Sequence, residues 1–177
     1  SQPFSATKSA AGLFNPITGR KMNKTWLADD LFPYLHDFYP KQEKLLGSKF
    51  FHSMPIYVPF DSVEKQNNWA GASSETKYEG FVGGFVETKY QGLLKSHFGG
   101  MELNQSGYVE TREYLQSARN YLKAQSVLVD KWVDVADLQL QEDSVKWQGD
   151  TFKKVIFADG PQGAENSFFQ GLDYRRV

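Results

Sequence analysis

The sequence predicts an α+β fold, with an antiparallel or mixed sheet flanked by helices. Three observations carry this reading. Apolar residues recur at helical spacing in two separated stretches, around 31–39 and 114–122. Between them, glycines divide residues 81–109 into short apolar runs of strand length. Beyond the second helical stretch, β-branched residues return in short runs up to Ala158-Asp159-Gly160. The order is helix, strand, helix, antiparallel strands, helix and then a small meander, which reads as α+β with a substantial antiparallel or mixed sheet.

The elements follow in order. Residues 1–25 show no period and read as loop. Leu31, Phe32, Leu35, Phe38 and Tyr39 share one helix face, and Asp29-Asp30 suit its start by capping and by the helix dipole. Pro40 predicts a kink or a second short helix running to Leu46, with Gly47 as the stop. KFFHSMPIYVPF (49–60) has strand character, and Pro55 and Pro59 confine it to an edge or break it. Asp61 with Glu64 reads as a capping box opening a short helix to Trp69. Antiparallel strands are expected near 85–90 and 101–109, with a further short one over 92–98 and a tight turn at Gly99-Gly100. Thr111 caps a helix over 111–125, with Tyr114, Leu115, Ala118, Tyr121 and Leu122 as its stripe. Strands over 127–135, 137–140 and 145–147 follow, with Glu142-Asp143 turning between the last two, and KKVIFA (153–158) reads as the final strand.

The 177 residues suit one domain-sized core. Hydrophobic residues at 40% and charged residues at 23% give the balance of an ordinary globular chain, while aromatics at 15% assign much of the burial to large rings. The net charge of −1 comes from well-mixed acids and bases, so neither a nucleic-acid stripe nor a polybasic membrane patch is expected. No apolar run approaches the roughly 20 residues of a membrane span, and no basic-then-apolar leader is evident. The absence of cysteine excludes thiolate catalysis, cysteine metal sites and disulfides, and a cytoplasmic location fits it.

The short regular motifs of dinucleotide, nucleotide, zinc-protease and serine-hydrolase sites are all missing. His36, His52 and His97 are isolated in sequence and read as surface or packing residues; Arg175-Arg176 reads as a solvated pair or unfinished strand. Two stretches stand out. In SAAGLFNPITGRKMNKTW (9–26), Ala10 and Ala11 remove bulk, Gly12 and Gly19 permit close backbone approach, and Pro16 and Thr18-Gly19 suit a turn. In Val155-Ile156-Phe157-Ala158-Asp159-Gly160, a buried-type strand ends at small residues, the position where ligands bind in open sheets.

Together these stretches resemble FAD-dependent oxidoreductases of the D-amino-acid oxidase/glycine oxidase type. AAGLFNPITGR followed by Trp26 is similar to the loop that passes the flavin. LFPYLHDFYPKQEKLLGSKFFHSMPIYVPF resembles the helix and first strand of the substrate domain, and GYVETREYLQSARNYL the helix returning to the cofactor domain. VLVDKWVDVADLQL, VKWQG and KKVIFADG resemble that domain's meander and its alanine-x-glycine strand, although Asp159 replaces the small or hydroxyl residue usual between Ala158 and Gly160. The resemblance runs nearly end to end, and order and spacing carry it more than any single motif.

The resemblance implies hydride transfer from a small amine or amino-acid substrate to flavin, giving an imine that hydrolyses. It implies that Ala10, Ala11, Gly12 and Leu13 line the flavin, that Val133 and Asp134 lie near the adenine side, and that Ala158 and Gly160 lie near the dinucleotide. Tyr57 and the sheet near 85–98 are expected to face substrate. It implies a flavin-approaching loop (1–25), a substrate domain (26–125) and part of a FAD-binding domain (126–177). The G-x-G-x-x-G loop that holds the FAD pyrophosphate in that family is absent from these residues. The chain is therefore expected to be an internal fragment that holds no FAD by itself and self-associates through exposed strand edges. Two other classes stay open on the residues alone: a complete module binding a small ligand or carbohydrate through an aromatic-rich sheet, and an interaction domain without chemistry.

Overall fold

The computed structural model describes residues 6–19, 21–87, 90, 92–94 and 97–172. The fold is α+β, with four α-helices and small antiparallel sheets among the described residues. The chain divides into two compact units, residues 10–121 and residues 122–172 with 6–9. Arg175-Arg176 and parts of the strands expected over 85–90 and 92–98 lie outside the described residues.

A single helical turn, α1 (Ala6–Ser9), belongs to the second unit. The first unit opens with β1 (Leu13–Phe14) and the small hairpin of β2 (Ile17–Thr18) and β3 (Asn23–Lys24). The segment expected to be loop is thus built into the fold. Asn15 holds it in two ways: its side-chain oxygen accepts the Ile17 amide at 3.1 Å, and its carbonyl accepts the Thr25 hydroxyl at 2.8 Å. Pro16, Ile17 and Met22 are buried, and the Tyr78 hydroxyl donates to the Met22 carbonyl at 2.6 Å.

Helix α2 (Ala28–Leu46) runs unbroken through Pro33 and Pro40. The expected break at Pro40 does not occur. Leu35 and Tyr39 before it and Leu46 after it pack against the same cluster of Phe50, Phe51 and Val109, and that packing holds the helix across the missing hydrogen bond. Asp29 and Asp30 occupy the first turn, where the dipole favours them, but neither caps; Asp29 instead pairs with Lys24 at 2.6 Å. Gly47, at φ +67°, ends the helix in left-handed conformation as expected.

Pro55 divides the next stretch into β4 (Phe51–Ser53) and β5 (Ile56–Pro59). Helix α3 (Val63–Ser73) is capped by Ser62, whose hydroxyl accepts the Lys65 amide, rather than by Asp61. Strand β6 (Val82–Val86) bulges between Val82 and Phe85, where Gly83-Gly84 supply the irregular backbone. The expected strand over 101–109 is two strands, β7 (Gly100–Leu103) and β8 (Gly107–Val109). Helix α4 (Thr111–Ala124) matches its periodicity, but the Thr111 hydroxyl donates to the Ala10 carbonyl instead of capping.

Besides the β2-β3 hairpin, this unit holds two three-stranded sheets among the described residues, β1-β8-β4 and β5-β7-β6. Phe32 joins Met101, Leu103, Phe60 and Phe81 behind the second; Leu35 and Tyr39 join Phe51 behind the first; and Phe14 packs against both clusters. The inner faces of both sheets thus lie toward α2, and their outer faces turn away from it.

In the second unit, β9 (Gln139–Leu140), β10 (Val145–Trp147) and β11 (Asp150–Phe152) form a meander. Gln148 (φ +49°) and Gly149 (φ +95°) make the two-residue hairpin turn that sequence reading overlooked. Residues 127–134 and 153–159 are irregular, not strands. Their β-branched side chains have the propensity, but among the described residues no neighbouring strand pairs with them. Asp159 accepts a hydrogen bond from the buried Asn166 at 2.8 Å, which steadies the turn after Ala158.

Candidate functional site

The residues 10–13 are fixed from beneath. The Val109 amide donates to the Gly12 carbonyl at 3.0 Å, the Thr111 hydroxyl donates to the Ala10 carbonyl at 3.3 Å, and Leu13 and Phe14 pair with Tyr108 and Gly107. Gly12 sits at φ +71°, and a Cβ there would overlap the Val109 carbonyl oxygen. The close approach that its sequence context suggests is therefore made to β8 of the same chain.

Ala10, Ala11 and Leu13 remain exposed on this fixed backbone, Leu13 at 68%. Small and apolar side chains on a braced loop fit the face of a flat aromatic ring system. They offer no set of amide donors for a pyrophosphate.

The β-ladder extends this surface. Leu13 lies opposite Tyr108, and Tyr108 opposite His52, so the three form one cross-strand row on the outer face of β1-β8-β4. The His52 and Tyr108 rings stack at 4.6 Å. Glu110, two residues beyond Tyr108, brings Oε1 to 3.2 Å from His52 Nε2. That is ion-pair range, but the ring nitrogen makes no aligned hydrogen bond there. Phe14 and Phe51 stack on the opposite, buried face at 5.2 Å.

Sequence reading passed over His52 as an isolated histidine. The signal available was the period-2 phase of FFHS and GYVE, which places His52, Tyr108 and Glu110 on one side once the strands are paired. His36 is a packing histidine between Phe14 and Phe51, and His97 is exposed.

The register also settles the face of Tyr57. Ile56 and Val58 pack on the core, so Tyr57 points outward, directly opposite Glu102 on β7.

The remaining candidates belong to the second unit. Val133 and Asp134 lie just before the turn Val135–Asp137, and Asp134 Oδ1 accepts the Ala136 amide at 3.0 Å. Ala158 is exposed, and Gly160 has φ +59° in open space. Among the described residues no cluster of three metal-ligating side chains occurs and no helix is long and apolar enough to cross a membrane. No protein-family profile matches the chain, and no solved structure matches it.

Proposed function

We propose that the chain is the substrate-domain portion, with part of the cofactor domain, of a FAD-dependent oxidoreductase of the D-amino-acid oxidase/glycine oxidase type acting on an amine or amino acid. The observation that carries the reading is the braced loop at 10–13, which holds Ala10, Ala11 and Leu13 outward beside Tyr108 and His52. When bound, the flavin accepts the hydride and supplies the redox chemistry. Ala10, Ala11 and Leu13 would offer its ring system a flat apolar wall, and Gly12 contributes by letting the loop lie close on β8. Val133 and Asp134 are assigned to the adenine side, and Ala158 and Gly160 to the dinucleotide, on the family resemblance.

Phosphate binding requires converging amide donors, and the glycine-rich loop that would supply them is not among these 177 residues. The chain alone is therefore expected to leave FAD free at micromolar concentration, with unquenched flavin fluorescence. The protein purified from its complete reading frame is expected to release FAD in equimolar amount on denaturation. A colourless product without releasable flavin refutes the reading. The proposed partners are a small amine or amino acid and further copies of the chain. Exposed Trp132 (77%) and Ile156 (89%) favour self-association, which a concentration-dependent sedimentation coefficient would register.

A further inference from the structure

We propose that α2 pairs, antiparallel, with the α2 of a second copy of this chain through an apolar seam on its outward side. The helix packs into its own unit with Phe32, Leu35, Tyr39 and Leu46. A second row of large side chains lies off that face: Leu27 at the cap, then Leu31, Tyr34, Phe38 and Leu45. With Lys41 included, the steps alternate between four and three residues, the spacing along which two helices pair. Leu27, Leu31, Tyr34 and Leu45 are exposed, and Phe38 is half-buried. Pro33 and Pro40 stand outside the row. At its middle the Tyr34 and Phe38 rings stack at 5.6 Å, with 19° between their planes. Two large rings are thus held in place before a partner arrives, as a central anchor requires.

The row is complementary to itself. A two-fold axis at the level of His36 sets Tyr34 opposite the partner's Phe38, Leu31 opposite the partner's Lys41 and Leu27 opposite the partner's Leu45. Asp37 holds the Lys41 ammonium at 2.6 Å, which leaves the aliphatic stem of Lys41 to cover leucine. The charges agree with the same register. Asp30 in the first turn and Lys44 in the last turn flank the two ends of the row. Both are exposed, and neither side chain has a hydrogen-bond or ion-pair partner among the described residues. In the antiparallel pair Asp30 faces the partner's Lys44 at both ends, and the helix dipoles oppose. A parallel pair would lose both gains. One helix pair is smaller than a standard interface of roughly 1,200–2,000 Å², so the dimer is expected to be reversible and micromolar. The inference is independent of the oxidoreductase reading, because neither flavin nor amine takes part in it. The seam also belongs to the first unit, whereas Trp132 and Ile156 belong to the second.

The experiment is sedimentation equilibrium of the chain over a concentration series, with helicity followed by circular dichroism. A monomer–dimer equilibrium is expected. Tyr34→Lys places a cation between Asp30 and Asp37 on the helix surface, so it should fold while weakening the dimer about tenfold or more. Asp30→Lys and Lys44→Asp should each weaken self-pairing by setting like charges together. An equimolar mixture of these two variants should recover the native affinity, because each then faces an opposite charge. A chain that stays monomeric from micromolar to millimolar concentration overturns the proposal. So does a dimer that a folded Tyr34→Lys chain retains at full affinity, or a mixture that pairs no better than its components. If Tyr34→Lys loses helicity, the charge-exchanged mixture decides.

Discussion

Replacing Gly12 by alanine is expected to lower the melting temperature by about 6–12 °C, the equivalent of about 3 kcal/mol in a chain of this size. Two effects combine. Alanine at φ +71° costs about 1–2 kcal/mol in the left-handed region. Its Cβ also meets the Val109 carbonyl, and forcing such an overlap costs about 1–3 kcal/mol more. Gly19 provides the internal comparison, since it has the same φ of +71° with nothing near its absent Cβ. Gly19→Ala should cost only the conformational part, about 1–2 kcal/mol. Thermal melts of the two variants separate the terms. Equal losses would mean that the loop does not lie against β8 as described.

The second large effect is expected at Glu43, in the last turn of α2. An acid is unfavourable beside the negative end of a helix dipole, so its place there needs a cause. Oε1 accepts the amides of Phe50 and Phe51 at 2.8 and 2.7 Å, and Oε2 accepts Lys49 Nζ at 2.8 Å. One side chain thus joins the end of α2 to the start of β4, where Phe50 and Phe51 enter the core. Glu43→Ala is expected to cost about 2–3 kcal/mol, since it removes charged acceptors from two amides at the edge of the core.

The same group gives stability a pH dependence. Burial on its own would raise the Glu43 carboxyl, but the hydrogen bond from Lys49, the Phe51 and Phe50 amides and the Lys49 charge together hold it below the ordinary glutamate value. A lowered native value means that the ionised form is favoured by folding. The contribution is complete above the ordinary glutamate range and is lost as pH falls through the native value. Glu113 acts in the same direction through the hydroxyls of Ser48 and Ser117. Denaturant midpoints measured from neutral to acid pH should therefore fall, and Glu43→Ala should flatten that fall without removing it. An unchanged acid slope would contradict the assignment.

Several parts of the fold are legible in the sequence for local reasons. The apolar spacing of 28–46 and 111–124, the stop at Gly47, the break at Pro55 and the turn at Glu142-Asp143 depend on residues close in the chain. What escapes local reading depends on distant partners. Pro40 passes through α2 because Phe50, Phe51 and Val109 hold the helix on both sides of it. Residues 127–134 and 153–159 carry strand-like side chains, but strand propensity cannot supply a neighbouring strand. Gly12 announces a close approach without naming its partner, which is Val109. His52 gains its neighbours Tyr108 and Glu110 only through the β4–β8 register. The outward face of Tyr57 likewise follows from its pairing with Glu102.

The proposed function assigns the braced loop, with its row of Leu13, Tyr108 and His52, to the flavin ring system and the outward-facing Tyr57 to the substrate side. The most direct measurement is anaerobic mixing of the protein from its complete reading frame with small primary and secondary amines and amino acids, following its visible flavin absorbance. The account predicts a bound flavin whose absorbance bleaches on addition of one of these substrates and returns when an oxidant is admitted. A protein without flavin, or a bound flavin that none of these amines or amino acids reduces, would contradict it.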